Sequence, residues 1–193
     1  MSTLKTTSIT HGSNSGTANL TLASDGKVTI PEKKLYCPGA IVQVQSTTFT
    51  GTFGSQSTSY TDCTGLSVAI TPTASSSKVF VSVIFNASST ITNRWHAYQL
   101  VRGSTAIAIG AAENSRTQCS AFIQQEGEEN NVYHRSIQYL DSPNTTSATT
   151  YKLQGKTQSD SSPYFHINRS DADANATHGG RTVSTITVWE VAG

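Results

Sequence analysis

The 193-residue chain is poor in charge and rich in hydroxyl side chains. Only 13% of its residues are charged, against about 25% in ordinary globular proteins, and more than a quarter are Ser or Thr. The net charge of +1 argues against a protein that wraps nucleic acid or binds membranes through basic residues. No apolar run reaches the roughly 20 residues of a membrane span, and the N-terminus lacks the apolar segment of a secretory signal.

Residues 1–36 alternate only weakly between apolar and polar positions and predict an extended arm. Two short strands are expected at residues 18–22 and 26–30, joined by a turn at Asp25 and Gly26, because Asp-Gly is a strong hairpin signal. The apolar side chains are too sparse for a core of their own, so we expect the arm to attach to another protein. The candidate attachment residues are Leu4, Ile9, Leu20 and Leu22.

Residues 37–193 predict an all-β domain, an antiparallel β-sandwich or jelly roll with short connections. The segment 51–59 is rich in Gly and Ser and is expected to be a loop. Residues 79–85 are apolar on both faces, which predicts a central strand. Hydrophobic residues make up only 35% of the chain, so the core is expected to be thin, and the second apolar face then predicts a homotrimer. Strands are expected at residues 41–50, 60–62, 66–70, 79–85, 95–101, 106–111, 122–123, 132–140, 149–155 and 182–191.

The three cysteines, Cys37, Cys63 and Cys119, show neither CxxC spacing nor a zinc-finger pattern. An odd count without a secretory signal favours free, mostly buried thiols. A single disulfide or an intermolecular bridge is the alternative.

The sequence contains no motif that points to enzyme catalysis. It has no GxSxG nucleophile turn. Glu126, Glu128 and Glu129 lie in a segment of Gly and Asn, where a solvated acidic loop is a simpler reading than a pair of glycosidase carboxylates. We therefore expect neither an enzyme nor a cofactor.

One segment has a weak resemblance to a Ca²⁺-binding loop. Asp171, Asp173 and Asn175 place oxygen ligands at alternate positions. The glycine and the acid that such a loop needs further on are replaced by Ala176 and Thr182. A polar turn is the expectation, and a surface cation site is the alternative.

Residues 158–180 form a long stretch without a clear strand pattern, which favours a functional loop. Aromatic faces stack on sugars, while amide and guanidinium groups pair with hydroxyls. Residues 126–131 form a second candidate loop. The alternative is a segment that packs at a trimer axis or caps the sandwich. The candidate host-surface or glycan contacts are Tyr164, Phe165, His166, Asn168 and Arg169.

Several strings, spread over almost the whole chain, resemble tail-fibre and virion structural proteins of marine phages, chiefly cyanophages. The resemblance implies a virion protein with a short N-terminal attachment segment and a C-terminal β-sandwich. That sandwich would be similar to the trimeric jelly rolls of the tumour-necrosis-factor and complement globular-head type. The strings are MSTLK, LTLASDGKVTI, KKLYCPGAIVQVQ, SYTDCTGLSVAITPTASSSKVFVSV, YQLVRGSTAIAIG, YLDSPNTTSATTYKLQ and RTVSTITVWEV.

Two functions follow from these observations. The first is a trimeric fibre or spike, attached through residues 1–36, whose distal sandwich contacts a host glycan or surface protein. The second is a capsid decoration protein that stabilises the head. Both place the protein on the virion surface after assembly in the host cytoplasm, with other virion proteins as partners and with no nucleic acid or membrane insertion. A polysaccharide-degrading spike is disfavoured because paired carboxylates are lacking.

Overall fold

The computed structural model describes residues 6–10, 20–30, 37–90, 94–124, 130–158 and 164–193. Within these ranges no helix is long and apolar enough to cross a membrane. The regular elements there are β1 (Ser8–Ile9), β2 (Leu20–Leu22), β3 (Val28–Thr29), β4 (Ile41–Phe49), β5 (Phe53–Ser55), β6 (Thr61–Ile70), β7 (Lys78–Ser89), β8 (Trp95–Arg102), β9 (Thr105–Ile107), β10 (Ala121–Gln124), β11 (Tyr133–Asp141), β12 (Thr149–Thr157), β13 (Phe165–Ile167) and β14 (Ser184–Val191).

Two antiparallel sheets form a sandwich. The large sheet has the order β4-β14-β7-β13-β5, and β11 pairs with the other edge of β7. The small sheet has the order β10-β8-β12-β6, and β9 pairs with β8. The chain crosses repeatedly between the sheets, so that four principal strands fall in each, as in a jelly roll. The predicted all-β antiparallel sandwich is confirmed.

Strand β7 shows how alternation builds the core. Val79, Val81, Val83 and Phe85 are fully buried, whereas Ile84 points outward and is exposed. The Phe85 ring lies 4.7 Å, centroid to centroid, from the ring of Tyr98 on the small sheet. Strand β7 pairs with β11 on one edge and with β14 and β13 on the other, which confirms the predicted central strand.

Two predictions between residues 51 and 70 are wrong. The sequence predicts a loop at residues 51–59, but this segment contains β5, which pairs with β13. The separate strands expected at residues 60–62 and 66–70 are the single strand β6. The strand continues through Gly65, whose backbone φ is +94°. Residues with a Cβ rarely adopt this conformation.

The N-terminal strands form a three-stranded antiparallel sheet of their own, in the order β1-β2-β3. The predicted hairpin is confirmed, since β2 pairs with β3 and Gly26 in the turn has φ +84°. Leu20 and Leu22 are half-buried in this sheet, while Ile9 is 44% exposed. Leu4 lies outside the described residues.

The three cysteines are unpaired. Cys63 is buried and Cys119 half-buried, but Cys37 is exposed, so the expectation of mostly buried thiols fails there. Burial raises the pKa of the Cys63 thiol far above its usual range, and the neighbouring Asp62 carboxylate adds to the effect.

Candidate functional site

The segment that the sequence assigned to host contact is largely interior. Phe165 to Ile167 form β13, which is paired with β5 on one side and with β7 on the other. The side chain of Phe165 is fully buried, with its ring centroid 5.5 Å from that of Tyr98 and 6.4 Å from that of His96. The predicted loop over residues 158–180 is therefore wrong at β13, and Phe165 cannot be reached by a host glycan.

Asn168 is also buried, and hydrogen bonds within the protein satisfy its side-chain amide. Its Nδ2 donates to the carbonyls of Phe49 at 2.7 Å and Gly51 at 2.9 Å, and its Oδ1 accepts from the Ser184 hydroxyl. The backbone φ of +64° suits Asn, whose short polar side chain tolerates this conformation. Asn168 thus ties three segments together, and its side chain is not available to a ligand.

His166 lies at the centre of a polar cluster. Its Nε2 is 3.1 Å from Asp171 Oδ1, and its Nδ1 is 2.9 Å from Nη2 of Arg169. Burial lowers the pKa of His166 and the Arg169 charge adds to this, while Asp171 acts in the opposite direction. The ring of Tyr164 stacks on His166 at 5.7 Å. Of the five predicted contact residues, Tyr164 is exposed, Arg169 is partly exposed, and the other three are buried.

Two residues of the weak cation candidate, Asp171 and Asp173, belong to the same polar cluster. Asp173 pairs with Arg169 at 3.0 Å and with Arg181 at 2.7 Å, while Asp171 faces His166. Asn175 is exposed. In the described part of the chain, no three His, Cys, Asp or Glu side chains are grouped closely enough to hold a metal ion. A cation at Asp173 would have to compete with two guanidinium groups.

The outer face of the large sheet carries an apolar row that crosses four strands. Val44 on β4 pairs with Trp189 on β14, Trp189 with Phe80 on β7, and Phe80 with Leu140 on β11. Val44 and Leu140 are each 48% exposed, and the Phe80 and Trp189 ring centroids are 5.5 Å apart. We name these four residues the apolar row.

The sheet around the apolar row is almost uncharged. Among the outward-facing residues of β4, β14, β7 and β11, only Lys78 has a charged side chain, counting Asp, Glu, Lys and Arg. An exposed apolar patch of this kind often marks an interaction surface. The residues that lie in register beside the row are Ser46, Thr187, Ser82 and Gln138.

Comparisons with known proteins add little to this geometry. No protein-family model matches the sequence, and no curated protein matches it. Among solved structures, the chain is similar to one described as "Structure of infectious bursal disease virus Gx strain", with 12% identity and a TM-score of 0.36. The alignment covers 78% of this chain and 37% of that one. This chain thus spans little more than a third of that neighbour, and the likeness carries nothing about function.

Proposed function

We propose that the chain is a non-enzymatic structural protein of a phage particle whose sandwich associates into a homotrimer through the outer face of the large sheet. The apolar row is the observation that carries this proposal. The assignment to a phage particle and the trimeric state come from the sequence resemblance to phage fibre and virion proteins. The row explains why a soluble sandwich keeps aromatic and aliphatic side chains on a face that its own core does not use.

A second copy of this chain suits the face for two reasons. With Lys78 as its one formal charge, the face can lie against two other copies around a threefold axis with little like-charge repulsion. The face also has a suitable area. Neighbouring strands lie about 4.8 Å apart and rise about 3.3 Å per residue, so a sheet of four nine-residue strands covers about 600 Å². With the loops beside it, that area approaches the roughly 800 Å² that each partner buries in a standard stable interface, and in a trimer it is shared between two neighbours.

The N-terminal arm is proposed to attach the protein to the particle, and the sandwich to face the host. Strands β1 and β3 are the outer strands of the arm sheet, and both are exposed. An extended segment of this kind can add its backbone to a neighbour's sheet edge. Counting copies in purified particles separates a fibre, present in few copies, from a head decoration present in many.

Sedimentation equilibrium of the full chain tests the association. We expect a trimer mass for the wild type and a monomer mass for Leu140→Glu, because the new carboxylate would be buried without a partner. The matched control is Ser67→Glu, which adds the same charge to an exposed position of β6 on the small sheet and should remain trimeric. A wild type that stays monomeric over the accessible concentration range rejects the proposal.

A further inference from the structure

The outer face of the small sheet carries a second row, with different chemistry. Phe122 on β10, Trp95 on β8, Lys156 on β12 and Tyr60 just before β6 follow the order of the strands in the sheet. The rings of Phe122 and Trp95 stack with their centroids 5.3 Å apart and an interplanar angle of 29°. Lys156 Nζ lies 5.8 Å from the Trp95 centroid and 4.9 Å from that of Tyr60. We name these four residues the aromatic row.

Core packing does not account for the aromatic row. The strand register places Phe122 and Lys156 opposite Ala97, on the face away from the core residues His96 and Tyr98. The ring of Phe122 is 46% exposed, whereas the next residue of β10, Ile123, is fully buried in the core. The Tyr60 ring is also held in place, because its hydroxyl donates to the Gln118 carbonyl at 2.6 Å.

A chain of polar side chains runs beside the row on the same face. Gln99 Nε2 donates to Gln154 Oε1, and Gln154 Nε2 donates to Asp62 Oδ1, each at 2.8 Å. Lys152 Nζ donates to the other Asp62 oxygen, also at 2.8 Å. Both amides retain donor and acceptor positions beyond these bonds. Rigid strands therefore present oriented hydrogen-bonding groups next to aromatic rings.

The charge of this face favours an anionic ligand. Lys152 and Asp62 neutralise each other, whereas Lys156 forms no ion pair with a carboxylate of the described residues. Its ammonium group lies over two rings, where cation–π attraction holds it at the surface. In the part of the chain that the structure describes, one cation without a matching anion remains beside the rings.

We propose that this face of the small sheet binds an acidic saccharide of the host surface. A sugar ring packs its C–H face on the exposed Phe122 ring, which stacks on Trp95, its carboxylate pairs with Lys156, and its hydroxyls bond to Gln99 and Gln154. Flat apolar contact combined with planar polar partners is what saccharide binding requires. This inference rests on the proposed host-contact role and replaces the buried residues 165–168 with a solvent-facing site.

A saccharide array tests the site with the full-length chain. The array holds uronic-acid oligosaccharides and the same oligosaccharides with their carboxyl groups reduced to alcohols. We expect the wild type to prefer the acidic forms, and the preference to weaken as salt rises, because salt screens exposed charges. Phe122→Ala should weaken binding to both forms about tenfold, which corresponds to about 1.4 kcal/mol. Lys156→Gln should remove the preference for the acidic forms.

Tyr164→Ala is the matched control, because Tyr164 is an exposed aromatic residue outside the small sheet, and this variant should bind like the wild type. The inference is overturned if the wild type binds no saccharide on the array, or if Phe122→Ala binds as well as the wild type. Sedimentation of the same samples separates the two proposals. A trimer that binds no saccharide overturns this site alone, whereas a monomer that binds acidic saccharides overturns only the trimer.

Discussion

The two outer faces of the sandwich are built by the same rule but carry different chemistry. In each sheet, alternate residues point away from the shared core, so every strand leaves a second set of side chains outside. The large sheet sets the apolar row among Ser, Thr and Gln, with one lysine nearby. The small sheet sets aromatic rings beside two amides, one carboxylate and two lysines.

This difference separates two uses of an exposed aromatic residue. Among the described residues the apolar row has no charged partner. Such a row suits a surface that another protein shields from water, since interface cores are depleted of charge. The aromatic row keeps charged and hydrogen-bonding groups beside its rings, as small-ligand sites do. An exposed ring is therefore best interpreted together with the polar groups in register beside it.

The largest effect is expected in the core between the two faces. Phe165→Ala should lower the free energy of unfolding by about 3–5 kcal/mol, because the lost ring leaves a cavity. Its exposed neighbour is the control, and Tyr164→Ala should cost less than about 1 kcal/mol. Urea unfolding followed by circular dichroism measures both. Equal losses would mean that Phe165 is not a core residue and that the loop predicted from sequence was right.

The next effect concerns acid, which acts on His96 in the core between the two sheets. Burial lowers the pKa of His96 to about 3, with smaller contributions from His166 and Arg135. The unfolded chain takes up this proton near pH 6.5 and the folded chain does not. The contribution of His96 to the free energy of unfolding is therefore fully present above about pH 6.5. It is lost as the pH falls toward about 3, by up to about 1.4 kcal/mol per pH unit.

Urea unfolding at pH 7, 6 and 5 measures that slope before most carboxylates titrate. His166 contributes in the same direction, since its pKa is also lowered. His96→Gln should therefore make the slope shallower without removing it. A slope that His96→Gln leaves unchanged would show that His96 is not the group responsible.

A smaller effect tests whether the two faces act independently. Val44→Glu on the large sheet should weaken association and leave saccharide affinity per chain unchanged. Phe122→Ala on the small sheet should do the reverse. In the double variant the two effects should add to within about 0.5 kcal/mol, because the residues lie on opposite faces and share no contact. Strong non-additivity would mean that one surface serves both functions.

The smallest effect on folding is expected from the arm. Removing residues 1–36 should change the free energy of unfolding of the sandwich by less than about 0.5 kcal/mol, because the buried core begins after the arm. The same deletion should abolish incorporation into particles, measured by mass spectrometry of purified virions. A deletion that unfolds the sandwich would show that the arm belongs to its core.

Much of the fold could be predicted from the sequence because the relevant signals are local. Alternation within residues 132–140 and 149–155, and the turn at Gly26, depend on neighbours in the chain. Strands β5 and β13 could not be predicted in this way. Each is three residues long and is held by the strands beside it, which come from distant parts of the chain.

The candidate sites show the same limit. The sequence indicated that Tyr164, Phe165 and His166 include rings suited to a ligand, but it could not show that Phe165 points into the core. It did not single out Phe122, Lys156 or Tyr60 as site residues, because β10 is short and the three lie far apart in the chain. Their alternation was visible, whereas their alignment across the sheet was not.

The sequence by itself determined that the chain forms antiparallel strands with two sets of side chains on each. Only the tertiary structure decided which set faces the core and which residues of different strands stand side by side. The physical reason is that strand periodicity is a property of the local backbone. Register, in contrast, depends on hydrogen bonds between segments as distant as β4 and β14. The apolar row and the aromatic row exist only because of that register.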